Sequence, residues 1–342
     1  MSKEKNNRAA PDESRQNGKE DKNIDLVLRP TNWSEYVGQE KVKKNLRMIM
    51  EAAKKRGEVC DHLLFYGQAG LGKTTLANLL AKEMGTNIRT TTGPALEKAG
   101  DLVAILTNLE PKEILFIDEI HRVNKLIEEI FYPAMESRKV HLIIGKGPSA
   151  RSFSLDLPPF TLVGATVRMS LLSNPMRSRF GATFKLDYYN LEDIEKIIQR
   201  SARLLGIELE SSALTILARA SRFTPRVANR LLKRARDFAE VYSKGKIDEE
   251  VAVKTLAMLE IDEMGLEAND RRLLELIIEK FSGGPVGLKN LAASLNEDVG
   301  AIEEVYEPYL MSLGFLSRTS SGRVATQSAY EYLKIKNRGL SI

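Results

Sequence analysis

Between residues 26 and 189, short apolar runs alternate with amphipathic stretches. Three of the runs have the length of buried strands, at 63–66, 114–117 and 160–164. The spacing of apolar residues over 74–84 predicts a helix, and strands separated by helices predict a parallel sheet with helices on both faces. Alternating residues flank a Gly-Lys-Gly-Pro-Ser cluster at 145–149, so 140–157 is predicted to form a hairpin.

Beyond residue 190 the pattern becomes helical. Four segments with helical spacing predict a small all-helical domain, at 191–205, 211–220, 225–242 and 248–259. Ser211-Ser212 and Thr224-Pro225 are the predicted starts of two of them. The last part predicts helices followed by two short strands, at 270–281, 288–295, 298–314 (bent at Pro308), 315–318 and 323–325. Three helices and a small hairpin make a winged helix-turn-helix.

These patterns divide the chain into four parts. Residues 1–24 are polar with mixed charge, which predicts a disordered tail. We expect an α/β domain over 25–189, the small helical domain over 190–260 and the winged helix over 263–342.

Composition narrows the class of protein. Apolar residues make up 43% and charged residues 28%, and no apolar run approaches the ~18 residues of a membrane helix. The first residues lack the apolar core of a signal peptide, so a cytoplasmic location is expected. Cys60 is the only cysteine and cannot form an intramolecular disulfide, and the three histidines show no metal-ligand spacing. The net charge of +5 says little about partners, but 314–342 has five basic residues against one acidic.

Residues 67–74 read Gly-Gln-Ala-Gly-Leu-Gly-Lys-Thr, which matches the P-loop pattern of nucleotide triphosphatases. A predicted strand precedes the run and a predicted helix follows it. The glycines let backbone N–H groups face phosphates, and the helix N-terminus adds partial positive charge. Lys73 would reach the β- and γ-phosphates of ATP, and the Thr74 hydroxyl would bind Mg²⁺. The alternative is a glycine-rich structural turn.

The apolar run at 114–117 ends in Asp118 and Glu119. Carboxylates at the C-terminal end of a strand face the crevice where ligands bind in open α/β sheets. Asp118 would hold the metal ion, and Glu119 would activate the attacking water as general base. Alone, two such acids often only cap the next helix.

Two further sets of basic residues are candidates for function. Arg177 and Arg179 could include an arginine supplied to a neighbouring subunit, although such pairs are usually solvated or salt-bridged. Arg318 and Arg323 lie on either side of the predicted wing turn, where basic side chains contact DNA phosphates or the minor groove. A winged helix that binds protein is the alternative, because 263–342 as a whole is slightly acidic.

Together these motifs resemble the RuvB family, bacterial AAA+ motors of Holliday-junction branch migration, over about 26–335. Besides the P-loop, the resemblance lies in the runs 28–30 (Leu-Arg-Pro), 36–39 (Tyr-Val-Gly-Gln), 116–122 (Phe-Ile-Asp-Glu-Ile-His-Arg), 145–152, 157–166, 179–181 (Arg-Phe-Gly), 224–232 and 314–319. It implies a P-loop AAA+ core, a lid domain and a DNA-binding head.

The resemblance also implies roles for single residues. The nucleotide contacts that it implies are Leu28 and Arg29 beside the adenine, Gly70, Gly72, Lys73, Thr74 and Thr75 in the P-loop, and Tyr189 and Arg226 from the lid. Thr166 would be the first sensor of the γ-phosphate and Arg226 the second. Arg179 would be the arginine finger that enters the site of the neighbouring subunit, and Arg318 and Arg323 would touch DNA.

Its partners follow in the same way. The family works as a homo-hexameric ring around double-stranded DNA, docks on the junction-binding protein RuvA through the hairpin at 140–157, and joins the resolvase RuvC in a larger complex. Two departures stand out. Gln68-Ala69 replaces a Pro-Pro pair in the P-loop, and Val167 stands where a second threonine is usual.

Other functions remain open at this point. A clamp-loader or origin-recognition ATPase would share the core, but we would not expect this hairpin together with this C-terminal domain. A protein-remodelling ATPase could use the winged helix to bind an adaptor. A DNA-binding regulator could use ATP only as a switch.

Overall fold

The computed structural model describes residues 24, 26–144 and 151–335. The predicted disordered tail lies outside the described residues except for Ile24. So do the turn of the predicted hairpin, at 145–150, and the last seven residues of the chain.

A five-stranded parallel sheet forms the centre of the first domain. Its strands and those of a separate antiparallel hairpin are β1 (Leu63–Tyr66), β2 (Ile88–Thr92), β3 (Ile114–Asp118), β4 (Lys139–Ile144), β5 (Arg151–Asp156), β6 (Thr161–Thr166) and β7 (Ala182–Lys185). The order across the sheet is β2-β3-β6-β1-β7, and β4 pairs with β5 alone. The edge strands β2 and β7 were not predicted.

Helices cover both faces of the sheet, as predicted. The helices of this domain are α1 (Glu40–Arg56), α2 (Lys73–Met84), α3 (Ala99–Thr107), α4 (Lys125–Ser137) and α5 (Asn174–Ser178). Alternate residues of β3 point to opposite faces. Phe116 packs in one core with α1 and α2, whereas Leu115 packs in a second core with α3, α4 and α5.

The second domain is a helical bundle of α6 (Leu191–Leu204), α7 (Ser211–Arg219), α8 (Pro225–Tyr242) and α9 (Glu249–Met258). It is not purely helical, because β8 (Glu208–Leu209) pairs in parallel with β9 (Lys246–Ile247). The predicted starts of α7 and α8 are correct, although Glu210 rather than a serine caps α7. One apolar core runs from the sheet into this bundle without interruption.

The third domain is the predicted winged helix with its own apolar core. It contains α10 (Ala268–Lys280), α11 (Leu288–Leu295), α12 (Val299–Ala301), α13 (Glu307–Ser312), β10 (Leu316–Thr319), β11 (Gly322–Ala325) and α14 (Gln327–Leu333). The predicted bend at Pro308 takes the form of a π turn, Ile302–Tyr306, which ends two residues before the proline. Proline has no N–H, so the regular hydrogen-bond ladder cannot continue through it. Helix α14 was not predicted.

No helix in the described part of the chain is both long and apolar enough to cross a membrane.

Candidate functional site

The loop at 67–74 connects β1 to α2, as the P-loop motif predicts. Gly67, Gly70 and Gly72 all have positive φ, which other residues adopt only with strain. Two of them are also tightly packed: a Cβ on Gly67 would lie 2.4 Å from the Leu186 carbonyl oxygen, and one on Gly70 would lie 2.9 Å from the Cβ of Arg226. The loop therefore contacts both the helical bundle, which corresponds to the predicted lid, and the linker that leads to it from β7.

Lys73 begins helix α2 and is buried. Its Nζ donates to the carbonyl oxygens of Gly67 at 2.7 Å and Gln68 at 2.8 Å. Burial lowers the pKa of Lys73 to about 8, although Asp118 nearby favours the charged form. The ammonium group is thus held over the curve of the loop, where a phosphate would accept its hydrogen bonds.

A cavity of about 530 Å³ opens above this loop between the first domain and the helical bundle. Eleven of the predicted site residues line it: Leu28, Arg29, Gly70, Gly72, Lys73, Thr74, Thr75, Asp118, Glu119, Tyr189 and Arg226. Residues from five separate stretches of the chain therefore meet in one place. Thr166, Arg179, Arg318 and Arg323 do not line it.

The two acids occupy the end of β3, at the floor of the cavity. Asp118 accepts a hydrogen bond from the backbone N–H of Glu119 at 2.9 Å. Glu119 has a positive φ of 50°, an uncommon conformation for a residue with a side chain, and its carboxylate pairs with Arg122 at 3.0 Å. Asp118 is near enough to Lys73 to favour the charged form of the lysine.

Tyr189 and Arg226 close the cavity from the lid side. The buried Tyr189 hydroxyl donates to the Leu71 carbonyl oxygen at 3.2 Å and lies 3.3 Å from the Tyr36 hydroxyl. Burial raises the pKa of Tyr189 to about 12, so the hydroxyl stays protonated and available as a donor. Arg226 is the second residue of α8 and lies against Gly70.

Residues of the segment 28–37 also line the cavity. Its anchor, Arg200 on α6, was not predicted. Arg200 donates to the Leu28 carbonyl oxygen at 2.8 Å and pairs with Glu35. Glu35, Tyr36 and Arg200 all line the cavity. Arg200 lies within an ordinary amphipathic helix, so no local pattern marks it, whereas the Tyr36 run was noted without a role.

Thr166 does not line the cavity. It is 1% exposed, and its hydroxyl contacts His121 Nδ1 at 3.0 Å and accepts from the Arg168 N–H at 3.0 Å. The next residue, Val167, lines the cavity instead. Consecutive residues of an extended segment point to opposite sides, so only one of the two can face a nucleotide. Of these two residues, the one that lines the cavity is Val167, which has no hydroxyl.

Arg179 lies at the end of α5, outside the cavity of its own chain. Its guanidinium stacks over Tyr132 at 4.2 Å, pairs with Glu136 at 2.9 Å and donates to the Pro175 carbonyl oxygen at 2.7 Å. Its Nε is buried without a partner. These contacts hold the guanidinium outside the cavity of its own chain, in a side chain that is 19% exposed.

Arg318 and Arg323 face each other across the β10–β11 ladder. The repulsion between these like charges is relieved by Glu307, whose fully buried carboxylate accepts from both at 2.5 Å. Arg323 is 13% exposed and Arg318 is 44% exposed. Arg323 therefore serves the fold of the wing, and Arg318 is the one that reaches solvent.

Three family models match consecutive parts of the chain. They are the P-loop domain of the Holliday junction DNA helicase RuvB at 28–186, the RuvB AAA lid domain at 189–262 and the RuvB C-terminal winged helix domain at 263–334. The chain belongs to the RuvB family. The predicted family and fold class, an α/β P-loop core followed by a lid and a winged helix, are thus confirmed.

RuvB proteins of other bacteria are similar over nearly the whole chain. The branch migration complex subunit RuvB of Chloroflexus aggregans is 55% identical over 92% of this chain and 90% of its own length. The solved structure of the Thermotoga maritima RuvB branch migration motor is 49% identical, with a TM-score of 0.83, and the match covers 91% of this chain and 99% of that one.

Solved variants of the Thermotoga RuvB protein indicate which of its residues corresponds to Val167. Lysine, alanine, arginine and proline were replaced in four of them, and the residues nine positions further along in this chain are of the same types: Lys73, Ala165, Arg179 and Pro225. A fifth variant, 50% identical to this chain with a TM-score of 0.83, has valine in place of a threonine. The same shift leads to Val167, so this RuvB chain naturally has the residue of that variant.

The lowered pKa of Lys73 predicts a pH dependence of nucleotide binding. Below about pH 8 Lys73 is charged and attracts phosphate, and above it the free protein loses that charge. We expect the Kd for ADP to rise by up to about tenfold for each pH unit above 8. Titration with a fluorescent ADP derivative from pH 7 to 9.5 measures this. Lys73→Arg keeps its charge throughout and should give a flat profile; equal profiles for the two proteins would contradict the assignment.

Proposed function

We propose that this chain is a motor subunit that couples ATP hydrolysis to branch migration of Holliday junctions by translocating duplex DNA through a ring. The observation that supports this most directly is the cavity in which Lys73, Asp118 and Glu119 of the core meet Arg226 of the lid, in a chain of the RuvB family. In such a site the chemical step and the lid position depend on the same nucleotide. We propose 25–189, 190–260 and 263–342 as the three moving domains.

The residues around the cavity fit MgATP. Thr74, Lys73 and Asp118 all line the cavity, and hydroxyl and carboxylate oxygens are ligands that Mg²⁺ accepts. Thr74 and Asp118 would hold the ion, which would neutralise charge on the β- and γ-phosphates. The P-loop backbone and Lys73 bind the phosphates, and the 28–37 segment covers the adenine.

Hydrolysis then depends on the remaining residues of the site. Once Glu119 separates from Arg122, its carboxylate accepts a proton from the attacking water. Arg226 contacts the γ-phosphate from the lid. Arg179 lies outside its own cavity, which supports a role in the site of a neighbouring copy. A homo-hexamer arranged head to tail would give every site one Arg179 from its neighbour.

Val167 gives this site one polar contact fewer than the threonine of the Thermotoga protein. We expect Val167→Thr to raise the turnover number of ATP hydrolysis by up to about tenfold, because a hydroxyl at this position can hydrogen-bond charge that develops on the γ-phosphate. Steady-state ATPase assays measure the effect. Val167→Ala is the matched control without a hydroxyl, and equal turnover of the alanine and threonine variants would contradict the prediction.

DNA binding is assigned to the wing, mainly to the exposed Arg318. Contacts to phosphates carry no sequence information, as a translocating motor requires. We expect Arg318→Ala to weaken duplex binding about fivefold and to lower the slope of log Kd against log salt by about one. Basal ATPase should stay unchanged. Fluorescence anisotropy at several salt concentrations measures both quantities.

Two comparisons sharpen this experiment. Arg318→Lys keeps the charge and should keep the salt slope. Arg323→Ala removes the better buried partner of Glu307 and should lower the melting temperature of the protein more than Arg318→Ala does. An unchanged salt slope in Arg318→Ala would show that the wing does not hold DNA through this residue.

The β4–β5 hairpin is the proposed docking element for RuvA. All six residues of β5 are exposed, including Phe153 at 45% and Leu155 at 40%, which lie on one side of the strand. Exposed apolar side chains on a projecting hairpin are typical of partner surfaces. We propose that RuvC joins the same complex.

ATPase and unwinding assays with a four-way junction, with and without RuvA, test this function. Faster ATP hydrolysis and separation of the junction arms are expected when both are present. The protein-remodelling alternative would instead give stimulation by an unfolded polypeptide, and a nucleotide-dependent regulator would bind DNA without turnover.

A further inference from the structure

Ion pairs connect the winged helix to the lid and to the core, and the two sets differ in burial. On the lid side, Arg222 pairs with Asp270, whose side chain is fully buried, and its guanidinium lies 5.2 Å from the centre of the Tyr309 ring. On the core side, Arg168 pairs with Glu303 at 2.7 Å and Glu304 at 3.0 Å.

The two contacts should therefore behave differently. Separating Arg222 from Asp270 would leave a buried charge without a partner, so this contact holds the winged helix on the lid. Arg168, Glu303 and Glu304 are 25%, 33% and 43% exposed, so water can replace their ion pairs at small cost. The contact with the core is the one that can open and close.

Arg168 connects this contact to the nucleotide cavity. Its backbone N–H donates to the Thr166 hydroxyl, and its neighbour Val167 lines the cavity. A shift of this strand end with the state of the nucleotide would move Arg168 as well.

The acids on the other side connect the contact to the wing. Glu303 belongs to the π turn that directly precedes Glu307, and one of its carboxylate oxygens lies 3.9 Å from Arg318. Glu303 is thus shared between a core arginine and the wing arginine. Three arginines and three glutamates balance each other here: Arg168, Arg318, Arg323, Glu303, Glu304 and Glu307.

We propose that Arg168 is a positioning residue that strengthens DNA binding by the wing, because it pairs with Glu303 and Glu304 and so balances the charge of the cluster. When Arg168 is withdrawn, the cluster gains a net negative charge. The two acids then compete with DNA phosphates for Arg318 and repel the duplex. Docking of the winged helix on the core and DNA binding therefore favour each other, and by linkage DNA favours the docked state. This inference rests on the proposed contact between Arg318 and DNA.

The test uses the full chain, a labelled duplex, and either ADP or a non-hydrolysable ATP analogue. We expect Arg168→Ala to weaken DNA binding about fivefold to tenfold. The Kd for DNA measured with ADP and the Kd measured with the ATP analogue should become nearly equal. Glu303→Gln with Glu304→Gln should strengthen DNA binding only slightly alone, because both acids are paired with Arg168 in the neutral cluster. In the Arg168→Ala background the same pair should restore DNA affinity.

Three results would overturn the proposal. Additive effects of the arginine and glutamine changes would mean that Arg168 touches DNA itself. A lower melting temperature with no rescue by the glutamines would mean that Arg168 only supports the fold. If Arg318→Ala left DNA affinity unchanged, the role of the wing would fail first, and this control tells that failure apart from the other two.

Discussion

Replacing Glu119 with glutamine should lower the turnover number of ATP hydrolysis by about 10²- to 10⁴-fold, the usual contribution of a general base. The amide cannot accept the proton of the attacking water, but it keeps the size of the side chain. Lys73 and Thr74 are untouched, so ATP binding should remain close to that of the wild type. Single-turnover hydrolysis and equilibrium binding of labelled ATP measure the two quantities separately.

Arg122 provides the control for this experiment. In the structure it pairs with the Glu119 carboxylate, so Arg122→Ala removes the partner and leaves the base in place. We expect that variant to retain most of its turnover. Normal turnover in Glu119→Gln would show that another group activates the water, and loss of ATP binding would show that Glu119 has a structural role.

Replacing Arg179 with alanine should abolish nearly all hydrolysis, by about 10³- to 10⁵-fold, while ATP binding persists. The group does not line the cavity of its own chain, so we expect the loss to arise in the site of a neighbouring subunit. Arg177→Ala is the matched control, because Arg177 lies on the same short helix and its side chain bonds only to Asn174 among the described contacts. It should stay active.

Mixing experiments test whether Arg179 acts between subunits. The Arg179→Ala and Lys73→Ala variants should each be inactive, yet a mixture should regain activity because some sites combine an intact P-loop with an intact arginine. Wild-type ATPase activity per subunit should rise with protein concentration. No recovery in the mixture and no concentration dependence would together place the catalytic arginine within one chain.

Local pattern was sufficient for most of the fold. Strands β1, β3 and β6 are continuous apolar runs, and the helices of the lid have a clear periodicity, so both were predicted. Strand β2 was not predicted because its sequence, Ile-Arg-Thr-Thr-Thr, is mostly polar. It is an edge strand, which has less apolar surface to bury. Helix α14 has seven residues, too few for a distinct period.

For the site as well, local sequence pattern predicted some side chains and not others. The P-loop and the acidic strand end have strict spacing, and their residues meet as expected. The choice between Thr166 and Val167 depends on which way an extended segment faces, and composition does not decide that. The pairing of Glu307 with both wing arginines joins residues that are 11 and 16 positions apart. Such contacts arise only when the domain has folded.

The close packing of Gly67 and Gly70 limits how their substitutions can be interpreted. An alanine at Gly67 would collide with the lid linker, and one at Gly70 would collide with Arg226, even without bound nucleotide. A defect in such a variant would therefore mix lost phosphate recognition with a displaced lid. It also restricts which residues these positions can accept, because a side chain here would have to fit against the lid or its linker and leave room for a ligand.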